Sequence, residues 1–186
     1  AISRAKMGGP CECDGKTYHE MDNFLVSEMK IAGKVWLSCE QYFQAMKFRE
    51  EEYREQIRKE SSGTKVWSMG QSRRYKIVEN WEEIKVDVMY EANKAKFSQN
   101  AKLKEVLLST KGDIDARGFP FWAYWNGRIL ERIREELRAK EERDEKALKL
   151  LLDAFEDYRF SRKDPKGWAM KQKKTAEAKS KPEQEK

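Results

Sequence analysis

Between Ser38 and Glu60 apolar positions recur at helical intervals, with Tyr42, Met46, Tyr53 and Ile57 on one stripe and Arg49 among them. The spacing predicts one helix running to about Glu60, with this stripe turned to a core. Ser38 followed by Gln41 marks its start as a capping box, and Ser61-Ser62-Gly63 marks its end. A second stripe of Glu40, Gln44 and Lys47, interrupted by Phe43, predicts a polar face. Just upstream, "KIAGKVW" (Lys30 to Trp36) predicts a short hairpin about Ala32-Gly33. Residues 1–16 contain "GGPCECDG" and are expected to be irregular.

Downstream, "TKVWSMG" predicts a second short helix and "QSRRYK" a basic connection. Asn80 with Glu83 repeats the capping-box pattern and opens a helix with Ile84, Val88, Ala92 and Ala95 inward. "NAKLKEVLLSTKG" predicts another helix, closed by Gly112. The aromatic patch "DIDARGFPFWAYWNG" then runs into a helical stripe of Trp122, Trp125, Ile129, Ile133 and Leu137. "RAKEERDEK" is almost wholly charged and predicts a solvated bridge. Leu148, Leu151, Leu152, Phe155 and Tyr158 restore an apolar stripe that must either pack back on the domain or grip a protein partner. Asp164-Pro165 breaks that segment, and the Lys/Glu-rich remainder has the composition of disorder.

Composition changes the picture in three respects. The chain has 186 residues, enough for one domain with extensions, and carries a net charge of +6. Residues 162–186 hold nine Lys/Arg against four Asp/Glu, which puts five of those six charges in the tail. Such a tail can make weak electrostatic contact with nucleic acid without reading sequence. The thiols Cys11, Cys13 and Cys39 are odd in number and form no framework, so a reducing compartment is expected. With His19 the only histidine, a fourth zinc ligand is missing, and neither metal nor cofactor is expected. No apolar run reaches the roughly 20 residues of a membrane span, and no secretory signal is present. An intracellular location is therefore expected, with cytoplasm and organelle both open.

The stretch "WLSCEQYFQAMKF", Trp36 to Phe48, resembles the W-x-[ST]-x-E-x-Y-F-Q-A-x-K-F motif of the NADAR family. Upstream, "YHEMDNF" stands where that family has an aromatic-Gly-x-Phe-Ser-Asn-Phe element: Asn23 and Phe24 match, whereas His19, Met21 and Asp22 depart. "ENWEEIKVDVM", "ANKAKF" and "LLST" follow in the family's order, so the likeness covers residues 18–138. It implies a mainly α domain with a small strand element over 18–138. Around it stand an irregular arm (1–17), an amphipathic helical extension (139–161) and a basic, disordered low-complexity tail (162–186). It further implies an N-glycosidase that cleaves ribosyl-phosphate or ADP-ribosyl conjugates, riboflavin intermediates among them. One departure stands out. Where the family carries an acidic residue and a glycine-rich segment, this chain reads "DIDARGFPFWAYWNGRIL", retaining an aspartate, a tryptophan, Asn126 and Gly127. A loop that lets backbone amides approach a phosphate has become a run of bulky rings.

Cleaving an N-glycosidic bond builds positive charge at the anomeric carbon, and an enzyme needs a fixed carboxylate there. Glu40 is the candidate, and at the start of a helix the macrodipole should favour its ionised form. Gln44 and Lys47 on the same face can hydrogen-bond ribose and pair with phosphate, or simply form a solvated face. Trp36, Phe43 and Trp81 can stack a base, close a dry pocket, or serve as core. Arg73 and Arg74 are candidates for a phosphate clamp. Asp113 and Asp115 compete as the second acid, with Asp115 preferred, against a loop-capping role. Asn23 and Phe24 are carried over from the family element as substrate-binding residues. Against this enzymatic reading stands an alternative: a degraded module of the same fold, kept as a binding or structural subunit and using 139–161 as its partner surface.

Overall fold

A computed structural model describes residues 8–179, with side chains through residue 176. The architecture is mainly α with two small antiparallel sheets. The first sheet contains β1 (Cys11–Cys13), β2 (Lys16–Tyr18) and β5 (Asp115–Ala116) in the order β2-β1-β5. The second pairs β3 (Met29–Ile31) with β4 (Lys34–Trp36). The helices are α1 (Cys39–Met46), α2 (Glu51–Lys59), α3 (Gly63–Met69), α4 (Trp81–Gln99), α5 (Ala101–Ser109), α6 (Pro120–Leu137), α7 (Glu145–Lys163) and α8 (Pro165–Lys179).

The predicted hairpin forms, with Ala32 at φ 49° and Gly33 at φ 79° making its two-residue turn. Within the arm expected to be irregular, residues 11–18 form a second hairpin, and residues 1–7 lie outside the described residues. Asp14 (φ 51°) and Gly15 (φ 72°) form the same kind of turn, an Asp-Gly signal that the Gly/Pro-rich surroundings obscured. Asp14 also accepts the Lys111 and Gly112 amides at 2.8 and 2.9 Å, tying this hairpin to the loop after α5.

The single helix expected from Ser38 to Glu60 is two. Residues 47–49 leave the helix and pair with 76–78: Arg49 N–H donates to the Lys76 carbonyl and Val78 N–H to the Lys47 carbonyl, around a bridge between Phe48 and Ile77. Arg49, predicted on the core stripe, is therefore exposed and pairs with Glu79, while Phe48 takes the buried place edge-on to Tyr53.

The caps follow the sequence unevenly. Ser38 accepts the Gln41 amide at 3.1 Å, and Gln41 reaches back to the Leu37 amide at 2.7 Å while gripping the Arg58 and Glu60 carbonyls at the end of α2. Asn100 caps α5, but the Asn80 side chain caps nothing, because its backbone (φ −91°, ψ 21°) is not extended as a cap requires. Thr110, not Gly112, ends α5.

Helices α1, α4 and α6 form the centre. Ile84 is half-buried, whereas Val88, Ala92 and Ala95 are buried, together with Val86, Met89 and Phe97. The extension α7 packs back on α4 and α6 through Leu148, Phe155 and Tyr158, leaving Leu151 half-buried and Leu152 exposed. Disorder beyond Asp164 is not borne out as far as Lys179. There α8 lies mostly exposed along α7, anchored by Trp168 Nε1 donating to Asp157 at 2.9 Å, and the last seven positions lie outside the described residues. Among the described residues no helix is long and apolar enough to cross a membrane.

Candidate active site around Glu40

Because Ser38 caps α1, Glu40 stands in the first turn, where a helix leaves backbone amides unbonded. Its own N–H is satisfied from outside: it donates to the Asn23 carbonyl at 2.9 Å, which fixes the 22–24 loop against the helix start. The side chain is fully buried at 0% exposure. Oε1 accepts from Gln44 Nε2 at 2.7 Å, one turn on, while Oε2 has no partner. Gln44 is buried as well, and its Oε1 is likewise without a donor.

The stripe of Glu40, Gln44 and Lys47 is thus an interior row, not a solvated face. This reverses the expected electrostatics. Burial pushes the Glu40 carboxyl up to about 7, against the lowering effects of the Gln44 amide and the Lys47 charge, with Asp22 adding a further upward push. Removal from water outweighs the 0.3–1 kcal/mol that a helix dipole typically supplies.

Lys47 is half-buried, and its Nζ donates to the Gly70 carbonyl at 2.7 Å. Burial lowers its pKa; Glu40 and Glu82 oppose that effect. Phe43, between Glu40 and Gln44 in sequence, is buried and lies 4.9 Å from Trp81 and 5.1 Å, edge-on, from Trp122. Trp36 is buried edge-on to Tyr42 at 5.1 Å, with its indole N–H unpartnered. All three candidate rings, Trp36, Phe43 and Trp81, are buried in the core. Phe24 is half-buried and rests over Gly63 at the start of α3.

Asn23 belongs to a buried amide chain that sequence reasoning did not assemble. Its Nδ2 donates to Asn126 Oδ1 at 3.3 Å, and its Oδ1 accepts from Asn93 Nδ2 at 3.0 Å. The loop that holds the Glu40 amide is therefore tied to α4 and α6. Asn93 lies within "ANKAKF", and Asn126 survives from the altered aromatic segment, so both carried a signal.

Both candidates for the second acid lie on the surface. Asp115 is exposed on β5 opposite Glu12, and the charged groups that act on Glu40 are Asp22 and Lys47. Asp113 is also exposed. Arg73 and Arg74 stand exposed on the loop that follows Gly70. Cys39 adjoins Glu40, but burial pushes its thiol up to about 11, which removes it as a thiolate nucleophile at neutral pH. Among the described residues no group of three or more His, Cys, Asp or Glu could hold a metal ion.

The rings of the aromatic segment in α6 mostly pack against α7. Trp125 lies 5.1 Å from both Phe155 and Tyr158 of α7, and Phe121 lies 5.9 Å from Tyr158. Trp122 alone reaches Phe43.

The NADAR domain family matches residues 12–126. The N-glycosidase YbiA of Escherichia coli (strain K12) is 37% identical over 131 residues, covering 64% of this chain and 82% of that protein. The riboflavin biosynthesis protein PYRR of Zea mays is 30% identical over 123 residues, covering 55% of this chain and 20% of that longer protein. The NMR structure of the E. coli protein YbiA superposes with a TM-score of 0.57 at 36% identity, covering 64% of this chain and 78% of that one. Helices α7 and α8 lie beyond the family match.

Proposed function

The chain belongs to the NADAR family, and from that premise we propose that it is an N-glycosidase. Its substrate is a base joined to ribose in a ribosyl-phosphate or ADP-ribosyl conjugate, and Glu40 is its essential carboxylate. The observation that carries this reading is Glu40 Oε2, a fully buried oxygen left without a donor while Gln44 fixes its neighbour. Buried polar atoms are otherwise almost always paired.

As the bond from the anomeric carbon to the base nitrogen breaks, its electron pair leaves with the base and positive charge develops on the sugar. Ionised Glu40 faces that charge and takes a proton from the water whose oxygen bonds to the anomeric carbon, while the departing base nitrogen takes up a proton from solvent. A carboxyl that titrates at about 7 suits proton transfer at neutral pH. Gln44 Oε1 accepts a ribose hydroxyl, and Lys47, with Arg73 from the neighbouring loop, meets the phosphate. Phe43 and Trp81 keep the row dry. Purified protein incubated with ribosylated or ADP-ribosylated substrates should release free base, and Glu40→Ala should not. Identical traces from the two proteins would remove the proposal.

The alternative, a degraded module that binds a partner through 139–161, draws on Leu150 and Leu152, which point outward from α7 at 63% and 37% exposure. The inner stripe of that helix is already covered by α4 and α6.

A further inference from the structure

Gly70 follows α3 directly. A glycine at a helix end is usually there for a left-handed backbone, but Gly70 has φ −63° and ψ −15°, a conformation any residue adopts. What demands glycine is space. A Cβ built on Gly70 would stand 1.8 Å from Gln44 Oε1 and 2.3 Å from its Cδ. The same residue's carbonyl takes the Lys47 ammonium at 2.7 Å. One buried backbone position therefore touches two of the three members of the polar row.

We propose that Gly70 is a positioning residue of this site: its bare Cα holds the Gln44 amide against Glu40, and its carbonyl holds Lys47 beside them. The assignment rests on the reading of Glu40 as the working carboxylate. The physical chain is short. A methyl group at position 70 collides with the far end of a flexible side chain, so the backbone can stay while the amide swings away. Glu40 then loses the donor that favours its ionised form, and burial, with the Asp22 charge, acts on it opposed only by Lys47.

The test uses the full chain with carboxyl-¹³C-labelled glutamate, following the Glu40 resonance against pH in wild type, Gly70→Ala, Gln44→Ala and the double variant. Gly70→Ala should raise the Glu40 midpoint by about one unit. In the Gln44→Ala background the same change should add nothing, because the colliding atoms are gone. Base release measured on the four proteins should follow the same non-additive pattern, with Gly70→Ala about tenfold or more below wild type. An unmoved midpoint in Gly70→Ala, or effects that simply add, would overturn the assignment. If Gly70→Ala fails to fold, the double variant decides: recovery of folding supports the collision with Gln44, and continued failure refutes it. A wild type that releases no base would count against the proposed activity alone, since the titration needs no substrate.

Discussion

Gln44 Nε2 donates to Glu40 Oε1 at 2.7 Å across one turn of α1, and Glu40 Oε2 and the amide oxygen of Gln44 both end in the interior without a donor. Leaving a buried polar atom unpaired costs about 1–3 kcal/mol. Two such atoms one turn apart on α1 make a site that is stabilised by whatever brings hydroxyl or amide hydrogens to it.

Glu40→Gln should stabilise the free protein while abolishing turnover. The carboxyl is pushed from 4.5 to about 7 in the fold. Between those values the native state keeps a proton that the unfolded chain has lost, so stability declines as pH rises through the window and levels off above it. The shift corresponds to something of order 3 kcal/mol. Calorimetry at pH 4 and pH 8 should show the variant gaining several degrees in Tm over wild type at the higher pH and little at the lower. Equal Tm values at pH 8 would contradict the burial of a charge at this position.

The pH–rate profile assigns the proton. With Glu40 acting as a base, kcat/KM should rise through about pH 7 and then reach a plateau. A profile that falls over the same range would give Glu40 the opposite duty, protonating the departing base.

Lys47→Met separates phosphate binding from chemistry. Loss of a charge-assisted hydrogen bond costs about 1.5–3 kcal/mol, so KM for a phosphorylated substrate should rise about tenfold or more. The dephosphorylated substrate should be affected far less. An equal loss on both would place Lys47 with Glu40 instead of with the phosphate.

Trp125→Ala should destabilise by about 3–5 kcal/mol, the usual effect of deleting a buried indole. Truncation after Leu137 should act similarly by uncovering the same ring. Thermal melts together with a hydrophobic dye would register both. A truncated chain as stable as the full one would mean that α7 is merely appended.

Much of this molecule is legible where signals are local. The Ala32-Gly33 hairpin, the Ser38 cap, the aromatic stripe of α6 and the amphipathic α7 all follow from neighbours a few residues apart. The break after Met46 is not, because it depends on pairing with residues 76–78 across nearly 30 positions, which no helical period encodes. The site divides the same way. The spacing of Glu40, Gln44 and Lys47 places them in one row, but what buries that row arrives from the 22–24 loop and from Gly70. Gly70 itself is indistinguishable, in sequence, from an ordinary helix stop. Asp115 illustrates the reverse case. An aspartate expected on a loop as the second acid sits in a surface strand, paired with β1.

The contact of Trp125 with Phe155 and Tyr158 ties the aromatic segment of α6 to a helix beyond the family match. The bulky rings of α6 and the helix that covers them bury one another. Sister lineages should then either possess both or lack both, and a descendant shedding its C-terminal helices would be pressed to recover small residues in α6 at the same time.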